Sequence, residues 1–234
     1  MLSGIRQKVL ERIRSIPLPP IGQFLTPGVM PMLKITSQVR PSLRYPKSTN
    51  CGALPGWIAL ELNGKHVVKL PSGDTSITSY MTDWKGFTEK LERDKGLPPE
   101  SIWIPYKPGR LPQPGDIYPL YNGSQFAHVG IIIDAQGRDW ITADSGQGPD
   151  GPLIPDPDDP EPDPKKKKKI LKYAHGFGAG YRRRSFKNGM LTGEGVELHP
   201  PERILSGWVN IDHPVLFPDW ATTRKPPKPV DRKK

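Results

Sequence analysis

The chain has 234 residues, with 30 prolines, 24 glycines, 35% hydrophobic residues and a single cysteine. That length allows one core of ordinary size, and one cysteine excludes an internal disulfide or a multi-cysteine zinc site. A formal net charge of +10 and a pI near 9.6 point to a polyanionic partner, whether nucleic acid, anionic lipid or an anionic cell wall, while the absence of any zinc-finger or RNP-type motif argues against sequence-specific nucleic-acid binding.

In chain order, residues 3–16 place Ile5, Val9, Leu10, Ile13 and Ile16 at helical spacing, with Arg6, Lys8, Arg12 and Arg14 on the other side. This predicts an amphipathic helix packed on the main domain or a partner, with a membrane-surface helix as the alternative. Nothing approaches membrane-spanning length, and the start of the chain lacks the continuous apolar stretch of a secretory signal. Synthesis in the cytosol, with export by a dedicated machine, is therefore the expectation. Pro17-Leu18-Pro19-Pro20 ends the helix, and a proline-punctuated extended segment runs to about Lys47.

A second helix is expected just after Cys51, starting irregularly because of Pro55, regular from Gly56 and stopping at Asn63-Gly64. A third fits residues 82–95, capped by Thr82, with Trp84, Phe87 and Leu91 on one face and Gly96 closing it. Strands follow at 102–104 and 116–120. A hairpin pairs 127–134 with 138–144, and further strands are expected at 181–186 and 208–211. Between Pro149 and Pro164 lie seven prolines and six acids, followed by the five lysines 165–169; this reads as a disordered insertion over 149–172 whose opposite charges attract each other. The chain thus divides into an N-terminal segment (1–44), a main domain (45–217) and a basic tail (218–234).

The chemistry gathers around the cysteine. Cys51, at a helix start, has the placement that lowers a thiol pKa from its usual value of about 8.5. Gly52 and Asn50 flank it, and glycine there leaves room for a substrate carbonyl and for backbone N–H groups to form an oxyanion hole. His128 opens the strand His-Val-Gly-Ile-Ile-Ile, with Gly130 on the same face keeping bulk away from the imidazole. On the next strand Thr142 and Asp144 share a face, and either can orient His128; Asp144 binds a ring N–H more strongly because it is charged. Gln147 is a candidate for substrate contact. The five histidines show no metal-ligand spacing, so neither a metal nor another cofactor is expected.

The ordered set, a cysteine at a helix start, then Pro114-Gly115-Asp116, then His128-Val129-Gly130-Ile131-Ile132-Ile133, then Thr142-Ala143-Asp144-Ser145-Gly146-Gln147-Gly148, resembles the papain-like NlpC and CHAP cysteine amidases across roughly residues 45–210. The segments 140–148 and 182–186 also look like those of amidase toxins delivered between bacteria. The resemblance implies an α+β, papain-like fold, with a nucleophile helix on a small antiparallel sheet, and a Cys51–His128–Asp144 triad. It further implies peptidoglycan as substrate, action in the periplasm of a target cell and an immunity protein that occludes Cys51. Asn50 stands where such enzymes commonly carry Asp, and their frequent second histidine is missing. A thiol protease or deamidase acting on a protein, or a degenerate binding module, remains open from the residues alone.

Overall fold

The computed structural model describes residues 4–23, 51–62, 67–70, 73–76, 83–147, 153–155, 159–171, 178–192 and 203–217. The helices are α1 (Gly4–Arg14), α2 (Ala53–Leu62) and α3 (Trp84–Asp94). The strands are β1 (Val67–Leu70), β2 (Gly73–Ser76), β3 (Trp103–Pro105), β4 (Ile117–Asn122), β5 (Gln125–Gln136) and β6 (Asp139–Gln147), then β7 (Leu153–Pro155), β8 (Lys169–Leu171), β9 (Gly178–Lys187), β10 (Met190–Thr192), β11 (Ile204–Leu205) and β12 (Gly207–Val209).

The fold is mostly β and overturns the papain-like α+β expectation. Six strands close into an antiparallel barrel in the order β4-β5-β6-β9-β10-β11, because Ile204 and Leu205 pair back onto Tyr121 and Leu120. Closure leaves no free edge among these six. It depends on β10 and β11, which are too short to show a periodicity of their own. At Gly207 (φ +155°) the chain passes from β11 to β12, which pairs with β3 and with the start of β4. A Cβ there would lie 2.3 Å from the Ile104 carbonyl oxygen, so only glycine fits.

Alternation along the strands separates two cores. Each barrel strand sends a residue into the lumen: Tyr118 and Leu120 from β4, Ile132 from β5, Trp140 from β6, Phe186 from β9, Leu191 from β10 and Leu205 from β11. The opposite face, with Ile117, Val129, Ile131, Ala143 and Ala179, packs under the helices against Val9, Ile13, Leu54, Ile58, Trp84 and Leu91. Because β5 is covered on both faces, its middle reads as an unbroken apolar run rather than an alternation.

The helices follow their sequence signals with small shifts. In α3 the cap is Asp83, whose carboxylate accepts the Gly86 N–H at 2.9 Å; Thr82 lies outside the described residues. Gly96 (φ +61°) ends it. In α2 the helix is regular from Ala53, with Gly56 N–H bonded to the Gly52 carbonyl at 3.1 Å, so Pro55 falls in the first turn, where its missing N–H costs nothing. The proline-rich stretch from residue 24 to 50 and the basic tail lie outside the described residues.

The insertion between 149 and 172 is not wholly without structure. Its flanks pair as an antiparallel ladder, Leu153–Pro155 with Lys169–Leu171. Acidic side chains also hold the lysine run: Lys168 N–H donates to Asp159 at 2.7 Å, and Lys165 N–H to Asp163 at 3.0 Å. Composition argued for disorder, but local capping by carboxylates supplies the order that burial cannot.

Helix α1 is locked to the barrel by a buried ion pair. Arg6, which the helical pattern placed on the polar side, is 2% exposed. Its guanidinium meets Asp116 at 2.8 Å and donates to Asp212, to Asn210 Oδ1 at 3.0 Å and to the Pro114 carbonyl at 3.0 Å. Burial pushes Asp116 up to about 6 despite this partner. The carboxyl therefore binds a proton more readily folded than unfolded, and its ionised form, dominant above about pH 6, is the form that needs Arg6. Arg6→Ala should cost about 3–5 kcal/mol at about pH 8, and distinctly less at about pH 5, where Asp116 takes up a proton. Urea denaturation at the two pH values checks this; an equal loss at both would contradict it.

Candidate functional site

Polar side chains fill one end of the barrel lumen. Asp144, on β6, is wholly buried and is bonded from four strands. His128 Nε2, from β5, lies 2.6 Å from its Oδ1. Tyr118, from β4, donates its hydroxyl to the same oxygen at 2.7 Å. Thr142, two residues back on β6, donates to Oδ2. Arg184, from β9, approaches Oδ1 at 3.4 Å and donates through Nε to the Tyr118 hydroxyl at 3.2 Å. The choice between Thr142 and Asp144 thus has a definite outcome: the carboxylate touches the ring, and the threonine holds the carboxylate.

Gly130 is what admits this arrangement. It pairs with Asp144 across β5 and β6, and a Cβ on it would stand 2.2 Å from Asp144 Oδ1 and 2.8 Å from the Tyr118 ring. Its role is to give the carboxylate room beside the imidazole, more than to leave the imidazole uncrowded.

Cys51 reaches the same place from outside. Strands β5 and β6 stop pairing with each other at Gly130 and Asp144; beyond that point β5 pairs with β4 and β6 with β9. The N-terminus of α2 fills the fork. Ser145, which alternation turns away from the lumen, accepts the Leu54 N–H at 3.1 Å and donates to the Cys51 carbonyl at 3.2 Å. The N–H groups of Val129, Gly52 and Cys51 itself point toward the sulfur. Val129 directly follows His128, so the sulfur lies against the β5 backbone one residue from the imidazole's own. Asn50 lies outside the described residues. So does the side chain of Gln147, whose backbone pairs with Gly178. Among the described residues no cluster of three or more possible metal ligands occurs, and no helix is long and apolar enough to cross a membrane.

The electrostatics differ from the sequence expectation. Burial raises the Cys51 pKa, and outweighs the three backbone N–H groups that would lower it. Burial also drives His128 down to about 4, against the opposing pull of Asp144. For Asp144, burial favours the neutral acid, but the Arg184 charge and then the His128 hydrogen bond outweigh it and hold the carboxyl well below the usual range. The site therefore rests with a neutral thiol, a neutral imidazole and an ionised carboxylate. An ionised Asp144 can only accept, so Nε2 carries the ring proton and Nδ1 is left with its lone pair.

Sequence reasoning missed Tyr118, Ser145 and Arg184. The signal for Arg184 was alternation within Arg182-Arg183-Arg184: the outer two are buried and the middle one is exposed. A run of three arginines reads as surface unless the strand period is applied. No protein family, curated protein or solved structure matches the chain.

Gly130→Ala should displace Asp144 or Tyr118 and destabilise the fold by about 1–3 kcal/mol or more, because an overpacked position also strips a donor from a buried carboxylate. Denaturant midpoints of the two proteins test this, and an unchanged midpoint would contradict the packing described.

Proposed function

We propose that the chain is a cysteine amidase or endopeptidase that cleaves amide bonds of bacterial peptidoglycan, acting as a toxin exported to the periplasm of a target cell. The observation that carries the reaction class is the 2.6 Å His128–Asp144 pair, with Cys51 fastened one residue away through Ser145. The ordered cysteine, histidine and aspartate segments and the charge of +10 support the wall as substrate. A small immunity protein that covers Cys51 belongs to the same reading.

In this mechanism the Cys51 proton passes to His128 Nδ1 as the sulfur attacks the substrate carbonyl. Asp144 stabilises the imidazolium that forms and keeps the ring in its useful tautomer. The N–H groups of Cys51, Gly52 and Val129 are the donors available to the developing oxyanion. The imidazolium returns its proton to the leaving amine, leaving a thioester. Water then adds to the thioester with His128 as base, which releases the carboxylic acid and restores the thiol. Because His128 must be neutral to accept the proton, activity should persist through the range where an ordinary histidine titrates and fall as pH drops through about 4.

Incubation of the purified protein with peptidoglycan sacculi should release soluble fragments, with Cys51→Ala abolishing the release and the acid limb lying near pH 4. Undiminished release by Cys51→Ala would remove the mechanism. Inert sacculi, together with Cys51-dependent cleavage or deamidation of a protein, would move the substrate from wall to protein.

A further inference from the structure

A second cation stands beside the dyad. Arg203 directly precedes β11, and its carbonyl accepts the Leu191 N–H at 2.9 Å, so the ladder already runs through it. Leu205 is buried in the lumen and Ile204 is 38% exposed, so alternation turns Arg203 to the luminal side. Register places it along the barrel. Leu205 faces Leu120, and Leu120 faces His128. Ile204 faces Tyr121, which faces Phe126. Arg203 therefore stands beyond His128, at the end where β5 and β6 diverge and Cys51 enters.

Its surroundings leave it in need of an anion. Arg203 is half-buried, and its guanidinium lies within the electrostatic reach of Arg184, Tyr118, Cys51 and Asp144. Asp144, the carboxylate of this cluster, is already committed to His128, Tyr118, Thr142 and Arg184. Among the described residues no carboxylate forms an ion pair with Arg203. With Cys51 and His128 neutral, the anion within electrostatic reach of Arg203 is Asp144, which it shares with Arg184. A partly desolvated cation is costly unless a partner neutralises it. A planar guanidinium is also the group best shaped to grip a carboxylate through two parallel hydrogen bonds.

We infer that Arg203 is the anion-recognition residue of this site, holding a carboxylate of the substrate beside the amide that Cys51 attacks. The inference rests on the hydrolase reading above and narrows it to peptides with a free carboxylate next to the scissile bond. A substrate carboxylate would pair with the Arg203 guanidinium and fix the peptide in one direction across the fork. Amidation of that carboxylate, which leaves shape unchanged and removes charge, would then act as a resistance mark.

The test uses the full chain carrying Cys51→Ala, so that binding is read without turnover. Calorimetry compares a muropeptide bearing free stem carboxylates with the same muropeptide carrying carboxamides. The carboxylate form should bind about tenfold tighter or more. Adding Arg203→Gln should bring the two forms to parity, and Arg203→Lys should keep part of the preference because it retains charge without the fork. An unchanged thermal midpoint in Arg203→Lys separates lost recognition from lost folding. Equal binding of the two forms by the Arg203-bearing protein, a preference that survives Arg203→Gln, or binding of neither form would overturn the inference. Inert sacculi with an Arg203-dependent carboxylate preference would instead sink the hydrolase reading and leave the anion site standing.

Discussion

A carboxylate with no access to water must find its partners inside the protein, and Asp144 draws them from its own strand and three others. An ionised group so placed is expensive to bury alone. Here Tyr118, His128, Thr142 and Arg184 together replace the lost hydration. Since β4, β5, β6 and β9 each supply a donor or the acceptor, the network forms only when those strands are in register, and closure of the barrel through β10 and β11 holds that register. The apolar layer of Trp140, Phe186, Leu191 and Leu205 beneath it keeps water out. A single constraint thus links barrel closure, the absence of a side chain at Gly130 and the orientation of one imidazole.

The thiol is attached to this network from the other side of the wall. Ser145 is the hinge between them: it is adjacent to Asp144 in sequence, faces the opposite way by alternation, and joins the start of α2 through its hydroxyl. Helix α1 braces α2, and is itself anchored by Arg6 in the Asp116–Asp212 clasp. Because burial raises the thiol and lowers the imidazole, the two rest uncharged, and in the proposed reaction separation of charge is deferred to the moment of attack. Asp144 then faces a new positive charge on His128 in addition to that of Arg184.

Much of the site was legible because chemistry is carried by rare residues in a fixed order. One cysteine before a helix, one histidine at the head of an apolar strand and one aspartate on the following strand sufficed to place Cys51, His128 and Asp144 on the elements where they stand. The helical face of α3 and the β5–β6 hairpin were legible through their period, and α1 through its buried Val9, Leu10 and Ile13. The architecture was not. A two-residue strand at Ile204–Leu205 has no pattern to read, yet it turns an open sheet into a barrel. Arg6, Arg182 and Arg184 carry charge that hydropathy assigns to solvent, while tertiary partners draw them inside. The acidic-proline segment misled in the same direction, since its Asp159 and Asp163 caps act locally and leave no trace in composition.

The proton on one ring nitrogen decides whether this assembly is poised as described. Nitrogen-15 NMR of the His128 imidazole, followed from about pH 8 to about pH 5, reads tautomer and charge together. The ring should stay neutral throughout, with its hydrogen on Nε2 against Asp144 and Nδ1 unprotonated. A ring already doubly protonated near pH 6, or one carrying its hydrogen on Nδ1, would contradict it.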